Sequence, residues 1–200
     1  DQHRQLDPSK QTIIALGIAR GMQYIHSQGY IHRDLNSSSI LLDEDDHPFI
    51  SDFKLISHMK KGNMAIQHIT SWTAPEMMIG SEYDQKVDVY SFGIILWEIL
   101  TREVPFRGLS PFAIAHEVCE SDSRPLIPQN CPPKLAKLIQ ACWHKNPRKR
   151  PDFNDIVYSF ESGKIYFLGT SSGPIISYSR LFKGILYDQV TNQLSDYFSY

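Results

Sequence analysis

Apolar residues at Ile14, Ile18, Met22 and Ile25 are separated by steps of four, four and three, which draws one stripe down an amphipathic helix. Pro8-Ser9 precedes the stripe and Gln28-Gly29 closes it, residue types that start and stop helices. Ile40-Leu41-Leu42 and Pro48-Phe49-Ile50 flank the acidic run Asp43-Glu44-Asp45-Asp46, a pattern that predicts a short hairpin closed by a solvated turn. Residues 51–73 are polar and lack a sustained period. From Asp84 to Thr101 apolar residues fall on nearly every face, which predicts a helix buried at the centre of a domain, with Trp97 in the core. Shorter helical patterns run from Pro111 to Glu120, Pro133 to Trp143 and Asp152 to Phe160, each opening near a Pro or Asp. In the second of these, Cys142 and Trp143 read as buried apolar residues. Beyond Glu161, Gly163, Gly169, Ser171, Ser172 and Gly173 are loop formers, and Tyr166, Tyr178, Tyr187, Tyr197 and Tyr200 punctuate the rest. Residues 161–200 therefore read as a separate C-terminal tail with weak strand tendency, and the fold class is mainly α.

Composition narrows the class further. Of 200 residues, 42% are hydrophobic, 12% aromatic and 21% charged, which excludes collagen-like, disordered and disulfide-scaffold proteins. A formal net charge of −2 points to neither nucleic acid nor an anionic membrane. Cys119, Cys131 and Cys142 are odd in number and lack C-x-x-C spacing, which fits a reducing compartment and a cytoplasmic location. The most apolar run, Phe92 to Leu100, is broken by Glu98 and is far shorter than the ~20 residues of a membrane span. The opening Asp1-Gln2-His3-Arg4 has no initiator Met and no signal-peptide core, so the chain is expected to be a piece of something longer.

The chemistry concentrates after the first helix. Residues 32–42 read His32-Arg33-Asp34-Leu35-Asn36-Ser37-Ser38-Ser39-Ile40-Leu41-Leu42. After the hairpin comes Ser51-Asp52-Phe53-Lys54, and twenty-four residues past Asp52 stands the end of Ala74-Pro75-Glu76. Asp88-Val89-Tyr90-Ser91-Phe92-Gly93 and Cys142-Trp143 with Pro147, Arg150-Pro151 and Phe153 follow in order. Together these resemble the catalytic loop, the D-F-G turn, the A-P-E motif and the closing helices of protein kinases. The resemblance covers about residues 8–160, so 1–160 is expected to be the C-terminal lobe of a kinase domain: helical, with a central buried helix and small β-hairpins. Trp72-Thr73-Ala74-Pro75-Glu76 and Asp88 to Gly93 look most like the tyrosine-kinase-like group, whose members mostly phosphorylate Ser/Thr.

The resemblance assigns roles. Asp34 would accept the proton of the substrate hydroxyl and orient that oxygen. Asp52 would ligate Mg²⁺, a hard cation that prefers oxygen. Arg33 would pair with a phosphorylated residue among Ser57, Thr70 and Ser71, which the sequence does not rank. Glu76 with Arg150 would form a buried ion pair, Asp88 would brace the His32-Arg33 backbone, and His32 would support its loop. Lys145, Arg148 and Lys149 read as solvated charges.

Several positions depart from the pattern. Ser39 stands where a second Mg²⁺ ligand, an Asn, is expected, so a second ion would be held weakly or through water. Asn36 replaces a Lys beside the transferring phosphate, a loss of about 3–4 kcal/mol of transition-state stabilisation by analogy with oxyanion-hole deletions. Lys54 replaces the Gly of D-F-G and reads as solvent-facing. His68-Ile69 stands in place of a small Gly-Thr pair, with Thr70 one place off. The Gly-rich loop, the V-A-I-K lysine and the αC glutamate belong to an N-terminal lobe, and this chain starts after them. Two functions are therefore expected to compete. One is a kinase that uses Mg-ATP on Ser/Thr of a protein substrate once that lobe is attached, the chain alone being inactive. The other is a pseudokinase that holds a regulatory protein.

Overall fold

The computed structural model of the chain describes residues 6–58 and 69–180. Helix α1, Pro8–Ser27, begins where Asp7 Oδ1 accepts the N–H groups of Ser9 (2.8 Å) and Lys10 (3.2 Å), with Pro8 in the first turn. The chain leaves it through Gly29 at φ +79°, a left-handed turn that glycine adopts without strain. The predicted stripe is buried, and so are Ala15, Leu16 and Ala19, because α1 has neighbours on several sides. One is the hairpin of β2, Ile40–Leu42, and β3, Pro48–Ile50, paired antiparallel with Ile40 opposite Ile50. The hairpin lies so close that a Cβ on Gly17 would collide with Pro48 Cγ, and one on Gly21 would sit 2.6 Å from Ile50 Cδ1. Strand β1, Tyr30–Ile31, pairs with β4, Ser57–His58, on either side of this hairpin in sequence.

Helix α2, Pro75–Met78, leads into α3, Lys86–Thr101, in which every residue from Val87 to Trp97 is buried. This is the predicted central helix, and each large apolar side chain it hides contributes about 1.5–3 kcal/mol. Helix α4, Pro111–Cys119, packs on α2. Helix α5, Pro133–Cys142, crosses α3 at Gly93, where a Cβ would stand 2.8 Å from Cys142 Cβ. Cys142 is fully buried there and its thiol is pushed up by desolvation, as suits a small core residue rather than a nucleophile. Helix α6, Phe153–Glu161, packs along α1, and Glu161 pairs with Arg20 of that helix.

Two local expectations are corrected. Asp46 is not a solvated turn residue: it is 4% exposed, adopts φ +66° and pairs with Lys10 of α1, so the turn folds back against the helix. Nor do the described residues after Glu161, 162–180, have the weak strand character expected of 161–200. Residues 172–180 form a helix, α7, with Pro174 in its first turn. Ile165, Phe167, Ile175 and Tyr178 join the same core as the other helices. The buried Thr12 hydroxyl of α1 accepts the Phe167 N–H (3.1 Å) and bonds the Thr170 hydroxyl (2.8 Å). Tyr187, Tyr197 and Tyr200 lie outside the described residues, as does Asp1.

Candidate active site

The loop after β1 is shaped by backbone bonds. Asp88, in the first turn of α3 and fully buried, accepts the His32 N–H on Oδ2 (2.9 Å) and the Arg33 N–H on Oδ1 (2.8 Å). Its Oδ2 also meets His26 Nε2 at 2.8 Å. Burial alone would raise the Asp88 carboxyl, but the His26 bond, the His26 and His32 charges and the His32 N–H together hold it below its ordinary value. With its N–H so held, Arg33 takes φ +69°, a region that few non-glycine residues enter, and its guanidinium lies over the Tyr83 ring at 5.6 Å.

His32 is fully buried, and its Nε2–H donates to the Ser51 carbonyl at 3.1 Å. Its ring also packs on Phe53, 5.5 Å between centroids. The residue before Asp52 and the residue after it are thus both tied to this loop. Ser51 N–H donates in addition to the Ser39 carbonyl at 2.8 Å. Asp52 itself is exposed, with φ +64°, a left-handed turn that Asp tolerates better than most residues.

Asn36 organises what lies between. Its Oδ1 caps a 3-10 turn, Ser37–Ser39, accepting from the Ser38 N–H (2.9 Å) and the Ser39 N–H (3.2 Å). Its Nδ2 donates to the Asp34 carbonyl (2.8 Å) and to Asp34 Oδ1 (3.1 Å), which fixes the half-buried Asp34 carboxylate. Ser39 completes the cap from the other side. Its hydroxyl accepts the Asn36 N–H (3.0 Å) and donates to the Asn36 carbonyl (2.8 Å). Fully buried and bonded twice, that hydroxyl would have to give up a cap bond to reach a metal ion.

Among the described residues, no three His, Cys, Asp or Glu side chains form a self-contained metal cage. Mg²⁺ in nucleotide sites needs less, since one or two carboxylates suffice when phosphates and water complete the shell. The exposed Asp52 carboxylate suits that use.

Residues 1–160 match the sequence pattern of the family described as protein tyrosine and serine/threonine kinase. The chain belongs to the protein kinase family. The kinase-like chain is also 47% identical over 153 residues to a serine/threonine/tyrosine-protein kinase of Arabidopsis thaliana, HT1, covering 74% of this chain and 38% of that protein. It is 39% identical over 169 residues to the dual specificity protein kinase pyk3 of Dictyostelium discoideum, covering 84% of this chain and 13% of that one. With the Arabidopsis serine/threonine-protein kinase STY46 it shares 38% identity over 146 residues, 72% of this chain and 25% of the relative. The chain spans 38% or less of the length of these three relatives.

Other features expected of a kinase lobe are in place. Arg150 Nη1 and Nη2 donate to Glu76 Oε1 and Oε2 at 2.5 and 2.8 Å, a bidentate pair inside the core. Lys145, Arg148 and Lys149 are exposed. Among the phosphorylation candidates, Ser71 is buried with its hydroxyl on the Pro105 carbonyl at 3.0 Å, whereas Thr70 is half-buried and bonds the Thr73 hydroxyl at 3.1 Å. The side chains of Ser57 and Lys54, and all of His68, lie outside the described residues.

Sequence reasoning missed Glu98, which it treated only as a break in an apolar run. Its Oε1 accepts the Ser37 hydroxyl (3.2 Å) and its Oε2 the Trp72 indole N–H (2.6 Å). The available signal was a carboxylate in an otherwise apolar, buried helix, a residue type almost never hidden without partners.

Proposed function

We propose that the chain supplies the catalytic loop and metal-binding turn of a longer protein kinase that transfers the γ-phosphate of Mg-ATP to Ser/Thr hydroxyls of a protein substrate. The observation that carries this reading is the Asp34 carboxylate, half-exposed and held by Asn36, on a loop whose backbone is clamped by Asp88. A general base needs that combination of access and fixed orientation. Asp34 takes the proton of the substrate hydroxyl as its oxygen approaches phosphorus. Asp52 would hold a Mg²⁺ ion, which when bound would screen the phosphate charge from the incoming oxygen. Ser39 serves the cap. The names of the relatives, serine/threonine and dual specificity kinases, favour hydroxyl acceptors on proteins.

A second reading, a pseudokinase that works as an interaction scaffold, is favoured by the Ser39 hydroxyl being taken up by Asn36 and by the loss of the D-F-G glycine to Lys54. Incorporation of labelled phosphate by the full-length protein separates the two. The kinase reading expects Asp52→Asn to bring incorporation from a measurable level to background. Equal, background-level incorporation by the full-length protein and Asp52→Asn favours the scaffold, and equal incorporation above background removes the role given to Asp52.

A further inference from the structure

We infer that Glu98 is a positioning residue for phosphoryl transfer, a clasp on α3 that ties the loop carrying Asp34 to the end of the segment running from Asp52 to Glu76. The inference rests on the kinase reading above, because it concerns how that site is assembled.

The two oxygens of Glu98 reach different parts of the chain, Ser37 on one side and Trp72 on the other. Seven residues earlier, two helical turns away and therefore on the same face, Ser91 donates its hydroxyl to the Trp72 carbonyl at 2.8 Å. Trp72 is thus held by α3 at both backbone and ring. Ser37 opens the 3-10 turn that Asn36 caps, and Asn36 is the residue that orients Asp34. A shift of Ser37 therefore passes to the base through one residue. The other end of the same loop is fixed by Asp88, ten positions before Glu98 on the same buried helix. One rigid element sets the spacing between the base and the segment beyond Thr70.

The clasp is also tuned. Burial pushes the Glu98 carboxyl up to about 7, against the hydrogen bonds from Trp72 and Ser37 that lower it. Both donors are neutral. Of the charged side chains on the surrounding elements, Lys10 of α1 is paired with Asp46, Asp34 of the loop is bonded by Asn36, and Arg102 and Glu103 are exposed just past the end of α3. Ionised, Glu98 accepts both bonds. Protonated, it keeps one good acceptor for two donors, so the clasp closes fully as the pH rises through neutrality.

The experiment has two arms. In the first, the indole ¹⁵N–¹H resonance of Trp72, identified by its loss in Trp72→Phe, is followed with pH in the full-length protein. It is expected to titrate with a midpoint near 7 and to be flat in Glu98→Gln, which keeps the side-chain shape. A Trp72 resonance that does not titrate, or titrates equally in Glu98→Gln, overturns the clasp whatever the enzymology. In the second arm, Glu98→Gln and Trp72→Phe in the full-length protein are expected to lower kcat about tenfold with KM for Mg-ATP unchanged, and to remove the pH dependence of kcat around pH 7. Unchanged kcat and pH profile in both variants overturns the positioning role while leaving the kinase reading intact. A full-length protein that transfers no phosphate removes both, and the resonance still reports whether the contact exists.

Discussion

A buried and a half-buried carboxylate on α3, Asp88 and Glu98, respond to pH in opposite senses. Asp88 accepts from two backbone N–H groups and a His ring, and its folded-state pKa lies below the unfolded 3.8. Its stabilisation is therefore complete above 3.8 and is lost as the pH falls through the lower folded value. Asp88→Asn, which leaves at least one of those donors without an acceptor, is expected to reduce stability at neutral pH by about 1–3 kcal/mol in urea unfolding, with the gap from wild type narrowing in acid below that value. Glu98 is displaced upward, from 4.5 to about 7, chiefly by burial. Its protonated form favours the fold, so stability is highest below 4.5 and declines as the pH rises through about 7. Glu98→Gln should abolish that decline while leaving the acid limb, which belongs to Asp88, in place. Unfolding midpoints measured across the range check both.

At the scale of elements, the helices were legible because each has a local signature. The stripe from Ile14 to Ile25, the Asp7-Pro8 start and the Gly29 exit fix α1 without any other part of the chain. The hairpin was legible for the same reason. What the sequence hid depends on partners distant in the chain. Ile165, Phe167, Ile175 and Tyr178 are separated by loop formers and have no period of their own. They bury only because Thr12 and Gly17 of α1 present a bonding hydroxyl and a bare backbone to them. A Cβ on Gly17 would collide with the Tyr178 hydroxyl as well as with Pro48. Gly17→Ala is expected to destabilise the chain by about 1–3 kcal/mol, and calorimetry or urea unfolding reads this. Tyr178→Ala in that background should relieve only the part owed to the tyrosine, since the Pro48 contact remains.

Across the whole molecule, motif order and spacing carried the family assignment, and they also led to Asp88 bonding the His32 and Arg33 backbone and to the Glu76–Arg150 pair. The finer structure of the site was not legible, because it resides in which lone pair meets which N–H. In the sequence Ser39 reads as a weakened metal ligand, whereas its hydroxyl bonds both backbone groups of Asn36, and Asn36 reads as a lost cation, whereas its Nδ2 holds Asp34. Among the described residues no helix is long and apolar enough to cross a membrane. The most direct test of the proposed activity is phosphate transfer from Mg-ATP to a Ser/Thr protein substrate by the full-length protein and its Asp34→Asn variant. Loss of the base is expected to slow transfer by about a hundredfold or more, with both proteins equally folded. Equal rates in the two would contradict a catalytic role for Asp34, and rates equal at background would leave the lobe a scaffold.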